Sequence, residues 1–290
     1  MSDENMPAIT PPAAESQSED DVVSAEFCGS EPVVRAPELR PLVVRPAFEY
    51  GDAHLVNGRG VIITQEDPIG RDDREQVHPT SVWPYRATGQ IIVKFPNGQR
   101  CIGTGCLIGK RHVLTAAHNL FEPSMGGRAV RADFIPARDG ETAPYGESLA
   151  VKIWYPPTYE QGDARADYAL LWLASDVGKQ VGYYKVQPHA PAELVNQEVS
   201  IAGYAVDKPG SGKNLWGARN AVAYADEDFL HYIVDTGGGQ SGSGIFLKDT
   251  ASGTQHLVGI HTEACGSYNR GVRVSSTLFR ECFGRIARDP

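Results

Sequence analysis

Short apolar runs separated by turn signals dominate the chain from about Ile69 onward. QIIVKF (90–95) runs into the turn PNGQ, GCLIG (105–109) into KR and then HVLTAA, and SLAVKIWY (148–155) ends at a Pro-Pro pair. YALLWL (168–173), EVSIAGYA (198–205), FLHYIVD (229–235), SGIFL (243–247), HLVGIHT (256–262) and GVRVSS (271–276) come after it. Such short runs, rich in β-branched and aromatic residues, predict strands. So many at this spacing predict an all-β sandwich or barrel. The end of the chain reads differently. In STLFRECFGRIARD, Leu278, Phe279, Cys282, Phe283 and Ile286 recur at helical spacing behind a Ser/Thr start. That pattern predicts one amphipathic C-terminal helix over about 276–288. No internal repeat is visible.

Upstream the pattern fades. Residues 1–21 carry six acids, no Lys or Arg, and few apolar residues beyond alanine. Such a composition cannot bury enough surface to offset the entropy of ordering, so disorder is expected there. Residues 22–66 are Pro-rich but include PLVVRPAF and GVIITQ, which either lie against the domain or belong to a pro-segment. The chain thus divides into an acidic leader or pro-segment over 1–66 and a domain over 67–290.

Charge respects the same boundary. The formal net charge is −9, and the first 66 residues hold twelve acids against four arginines, leaving −1 for the rest. This excludes a general nucleic-acid binder, which needs clustered Lys and Arg. No stretch approaches the ~18 uncharged apolar residues of a membrane-spanning helix. The 31 glycines and 20 prolines are in keeping with many turns. The five cysteines, Cys28, Cys101, Cys106, Cys265 and Cys282, are an odd and sparse set, so at least one thiol is left over. Spacing leaves a Cys265–Cys282 bridge open. None stands in a CxxC or Cys/His cluster, so no structural zinc is expected. The first residues lack the basic start and apolar core of a Sec signal. The protein therefore stays inside, leaves by another route, or has a misassigned start.

Three segments carry chemistry. His118 ends HVLTAAH, Asp167 heads the buried-looking run YALLWL, and Ser241 lies in the glycine-rich DTGGGQSGSGIF. Singly, each has a bland reading: a structural histidine, a turn aspartate, a flexible loop. In the order His, Asp, Ser they describe an activated nucleophile. A serine hydroxyl needs a base to take its proton, and imidazole titrates in the right range. The imidazole needs a carboxylate to fix its tautomer. The oxyanion needs converging backbone N–H groups, for which Gly239 and Ser241 are the candidates, with glycines permitting the necessary turn. Asp163 in GDAR rivals Asp167 but reads as a solvated turn, and Ser243 is the rival nucleophile. Cys106 and Cys265 show no basic neighbour that would make a thiolate. The acyl mechanism requires no cofactor.

Together these segments resemble the chymotrypsin-fold serine peptidases, and among them the bacterial glutamyl endopeptidases. IGRDDREQV and TSVWPYRATGQI are similar to the start of a mature family member, VLTAAH to its histidine motif, DYALLWL to its aspartate motif, and DTGGGQSGSGIF to its serine motif. GIHTEACGSYNRGVRV resembles its pocket-wall strand and the stretch just beyond it. The likeness covers about 69–276. It implies two antiparallel six-stranded β-barrels, over about 80–175 and about 180–276, ahead of the helix. It implies an endopeptidase acting on protein or peptide substrates, made as a precursor in a usually secreted family; a monomer is expected. It further implies that His261 and Thr236 line the primary pocket and bind a glutamate side chain. Asp235, six residues before Ser241, stands where trypsin-like enzymes attract Lys or Arg, so it is a pocket candidate and an Arg/Lys preference stays open. A non-catalytic binding module on the same scaffold is the other alternative, while the α/β-hydrolases run in a different order, Ser, acid, His.

The chain departs from the resemblance in three places. Gln240 replaces the aspartate that pairs with a new N-terminal amine in trypsin-like members. Gly103 and Asn119 stand where a cysteine pair often brackets the histidine. Gly244 replaces a frequent proline, which is expected to loosen its strand. Glu66 precedes the expected mature start near Asp67–Ile69, which makes self-processing at Glu66 an expectation.

Overall fold

The computed structural model describes residues 71–249 and 253–290, together with Ile69 and the backbone of 34–35, 55–56 and 61–63. The leader over most of 1–66, with Cys28 and Glu66, lies outside the described residues.

The strands close into two rings. The first contains β1 (Thr88–Lys94), β2 (Arg100–Leu107), β3 (His112–Thr115), β4 (Arg131–Pro136), β5 (Ser148–Trp154) and β6 (Ala169–Leu173). Antiparallel pairing runs β2-β1-β4-β5-β6-β3 and returns to β2. The second contains β7 (Glu198–Gly203), β8 (Trp216–Ala225), β9 (Phe229–Tyr232), β10 (Gly244–Lys248), β11 (Gln255–Cys265) and β12 (Tyr268–Arg273). It runs β8-β7-β10-β11-β12-β9 and returns to β8. Two closed six-stranded barrels result, and closure leaves neither ring with a free edge. This is the chymotrypsin-like architecture.

Sequence logic accounts for the strands in two ways. β6, ALLWL, is buried along its whole length, as an apolar run with no polar face demands. β4 and β8 are not among the strands that the apolar pattern predicts. β4 carries Arg131 and Asp133, and β8 is rich in Ala and carries Gly217 and Asn220, all poor local signals. Pairing with two neighbours each overrides that weak local preference.

The C-terminal helix α1 (Ser276–Arg288) begins at Ser275, whose hydroxyl accepts the Leu278 N–H at 3.2 Å. It leaves barrel two yet packs on barrel one. Leu278 and Cys282 join the larger apolar cluster, which holds the core of barrel one together with Phe246, Leu257, Ile260 and Val272 of barrel two, and Phe279, Phe283 and Ile286 pack against it. The Tyr168 hydroxyl donates to Glu281 at 2.7 Å, and the Trp172 indole N–H donates to the Asp289 carbonyl at 2.9 Å. Cys106 and Cys282 are buried thiols, so no Cys265–Cys282 bridge forms. Gly244 does not loosen β10. Its N–H donates to Cys106 Sγ at 3.3 Å, and a Cβ there would fall 2.4 Å from Phe246.

Candidate active site

The histidine and aspartate come together because β3 and β6 are antiparallel partners. Thr115 pairs with Ala169 at the end of the ladder, so the chain leaving β3 and the chain entering β6 meet at one end of it. His118 sits on the single helical turn Ala117–Asn119 just past β3, and Asp167 two residues before β6. Asp167 is nearly buried and holds His118 twice. One carboxylate oxygen accepts the His118 backbone N–H at 2.9 Å, and the other lies 2.8 Å from ring Nδ1. This grip fixes the ring plane and engages Nδ1, not Nε2, with the carboxylate. Asp163 is otherwise engaged. Its carboxylate accepts the Arg165 backbone N–H and guanidinium at the exposed end of a turn, and the Arg165 contact holds it below the usual carboxylate range.

Ser241 lies on a turn between β9 and β10, and three residues of that turn are gripped from outside their own turn. The Thr104 hydroxyl, from β2, donates to the Gly239 carbonyl at 2.9 Å. Arg74 donates to the Gln240 side-chain oxygen at 3.0 Å. Asn119 donates to the Ser241 carbonyl at 2.9 Å, and the Thr104 N–H donates to the same oxygen at 2.9 Å. Asn119 is the neighbour of His118, so this amide ties the histidine turn directly to Ser241. A Cβ on Gly103 would meet that amide at 2.6 Å, so the two positions of the missing cysteine pair are still in contact.

Two glycines are dictated by this crowding. Gly239 has φ +88°, and a Cβ would fall 2.5 Å from the Tyr204 carbonyl. Gly242 has φ +85°, and a Cβ would meet Thr115 Oγ1 at 2.2 Å. Within the turn Gln240 donates to the Gly237 carbonyl and Ser243 to the Gln240 carbonyl, while Gly242 donates to the His261 carbonyl on β11. Among the described residues the N–H groups of Gly239 and Ser241 donate to nothing, as an oxyanion hole requires. Ser241 Oγ is buried and without a partner among the described residues. The Ser-His contact of such sites is often long until substrate binds. Ser243 turns its hydroxyl against Gly203 of β7, where among the described residues no base stands. Cys106 is buried, and burial pushes its thiol up to about 12, so it forms no thiolate.

The two pocket candidates are held by a cross-strand pair that nothing in the sequence announces. Tyr232 on β9 faces Asn269 on β12 in register. The Tyr232 hydroxyl lies 2.6 Å from His261 Nδ1, and Asn269 donates to the Thr236 hydroxyl at 2.8 Å. His261 also touches the serine turn through its backbone, donating to Ser243 and accepting from Gly242. Asp235 is placed elsewhere. Its carboxylate accepts the backbone N–H groups of Ile69 at 2.7 Å and Asp73 at 2.9 Å, so it anchors the segment that opens the domain rather than facing a substrate.

Comparison with known proteins agrees with this fold. A family model described as a trypsin-like peptidase domain matches residues 103–260, more than half of the chain. A glutamyl endopeptidase of Bacillus licheniformis is 34% identical over 218 residues, covering 73% of this chain and 66% of that protein. A Bacillus subtilis protein named extracellular metalloprotease is 32% identical over 217 residues, covering 73% of this chain and 67% of that one. The chain thus spans about two thirds of the length of these relatives. Among solved structures, one of a Glu endopeptidase in complex with MPD superposes with a TM-score of 0.66 at 26% identity, covering 75% of this chain and 98% of that one.

Proposed function

The chain belongs to the trypsin-like peptidase family, and from that footing we propose that it is a serine endopeptidase that cleaves after glutamate. The observation that carries the reading is the double grip of Asp167 on His118 beside a serine turn whose two oxyanion donors are uncommitted among the described residues. In the proposed reaction Ser241 Oγ attacks the scissile carbonyl while His118 Nε2 takes its proton. The N–H groups of Gly239 and Ser241 receive the oxyanion. The tetrahedral species collapses to an acyl-enzyme as His118 returns the proton to the leaving amine. Water then repeats the sequence and frees Ser241. Each proton and each developing charge in these steps is met by a group of the chain itself.

The glutamate preference rests on His261 and Thr236. The Tyr232 hydroxyl and His261 Nδ1 share a hydrogen bond at 2.6 Å, and with the hydroxyl as donor the ring takes the tautomer whose Nε2–H suits a carboxylate. Thr236, whose oxygen accepts from Asn269, keeps its own O–H to donate. An incoming carboxylate thus meets two donors, which offsets the several kcal/mol that burying it unpaired costs. An Arg/Lys preference lacks support because both oxygens of Asp235 are spent on backbone N–H groups. Matched peptides with Glu, Gln, Arg or Phe before the cleaved bond test the reading. Glu should lead by kcat/KM, and a lead for Arg of ~10-fold, ~1.4 kcal/mol, overturns the specificity. A serine-directed phosphonate should label Ser241, and an unlabelled protein points to a binding module.

A further inference from the structure

We propose that Arg74 is a positioning residue for the serine turn, brought to it by the segment that opens the domain; the proposal rests on the peptidase reading above. Gln240 stands directly before Ser241 and is fully buried. Its amide is used at both ends. Oε1 accepts from Arg74 Nη1 at 3.0 Å and from the Gly237 N–H at 2.9 Å, and Nε2 donates to the Trp216 carbonyl at 2.9 Å. An amide committed on both sides has one orientation left, and it carries the backbone of Gly239 and Ser241 with it.

The Arg74 side chain is itself wholly buried. Its charge is met by two carboxylates, Asp72 at 2.9 Å and Asp207 on the chain beyond β7. Burial works against the guanidinium, but these partners outweigh it and raise its proton affinity. Lys208 closes the cluster on Asp72 at 2.7 Å. The space is cut for this group. A Cβ on Gly237 would fall 2.1 Å from Arg74 Nη1 and 2.4 Å from Asp207 Oδ1, so a side chain at 237 and a guanidinium at its place exclude each other.

The same short segment ties the turn at its other end. Ile69 and Asp73 donate to Asp235, Glu75 and Gln76 pair with Gly217 and Trp216 at the start of β8, and the Val77 N–H donates to the Leu215 carbonyl. Ile69 and residues 71–77 thus hold both Asp235 and Gln240, on either side of the run 237–239 that leads to Ser241. The oxyanion geometry depends on this segment being seated, and Arg74 is the side chain that transmits the seating. It touches neither substrate nor reacting atoms and acts through Gln240.

The experiment uses the full chain as wild type, Arg74→Gln, Arg74→Lys, Gln240→Ala and Ser241→Ala. It follows kcat and KM on a glutamyl peptide amide, the rate of phosphonate labelling, and the folded fraction by circular dichroism. Displacing catalytic groups by about an ångström costs on the order of 100-fold. Arg74→Gln is therefore expected to lower kcat and labelling rate ~10–100-fold with KM within ~3-fold, and Arg74→Lys to recover a good part. A folded Arg74→Gln protein with kcat within ~2-fold of wild type overturns the proposal, as does an Arg74→Lys protein no better than Arg74→Gln. If Arg74→Gln does not fold, Gln240→Ala decides, because it leaves Arg74 its two carboxylates. It should show the same kcat loss, and an unchanged kcat overturns the proposal. Wild type that is neither active nor labelled while folded overturns the peptidase reading and the proposal together.

Discussion

The two barrels hold their shares of the site in different ways. Barrel one carries His118 and Asp167 at the end of a single strand pair, and the two residues bond to each other directly. Barrel two carries Ser241 on a turn whose carbonyls and side chain are held by Thr104 and Asn119 from barrel one and by Arg74 from the opening segment. One half of the site is complete in itself. The other is correct only when parts distant in sequence are seated. In the proposed reaction the base and its carboxylate are thus built into a ladder, while the proposed nucleophile is conditional on assembly.

The largest effect breaks both halves alike. Ser241→Ala or His118→Ala should lower kcat by ~10⁴–10⁶-fold, and the double variant should be little worse than either, because the groups act as a unit. Turnover near wild type in Ser241→Ala would point to another nucleophile. Next comes the turn's own backbone. Gly239→Ala puts a Cβ into a left-handed conformation and against the Tyr204 carbonyl, so the oxyanion donors shift and kcat should fall ~10²–10³-fold. Kinetics showing only a KM increase would mean that the turn is not aimed at the oxyanion.

Asn119→Leu tests the link between the halves. It removes the donor to the Ser241 carbonyl while His118 keeps both bonds to Asp167. We expect ~10–100-fold in kcat at similar KM, whereas a loss confined to melting temperature would show that the amide serves stability alone.

The smallest effect concerns pH. His231 lies on β9, and burial pushes its pKa down from the ordinary 6.5 to about 4, with Nδ1 unpaired among the described residues. The unfolded chain takes up this proton first as pH falls. The contribution is therefore intact above about 6.5 and is lost as pH drops toward 4. His231→Phe should flatten the stability curve across that window in urea titrations. An unchanged slope would place the acid sensitivity elsewhere.

The same contrast explains what could be read in advance. The strands with apolar runs, the C-terminal helix and the segments bearing His118, Asp167 and Ser241 were legible because each announces itself within a few residues. β4 and β8 were not, since pairing rather than composition makes them strands. Arg74 and Thr104 gave no local signal, and Asn119 stood out only as a missing cysteine, for the partners of all three lie more than a hundred residues away. Tyr232 and Asn269 were hidden for the same reason, as they support His261 and Thr236 only once β9 and β12 pair. Asp235 was misplaced because spacing from Ser241 gives a position and not the direction of a carboxylate. That direction is set by Ile69 and Asp73.

Where a cystine would bracket the histidine, this chain uses the carboxamide of Asn119, lying against Gly103 and bonded to the Ser241 carbonyl. An amide has no oxidation state to set. The bracket closes when the barrels fold, asks for no oxidant or isomerase, and offers a reductant no bond to cut. The link from the histidine turn to the Ser241 carbonyl is therefore itself indifferent to the thiol–disulfide balance of its surroundings.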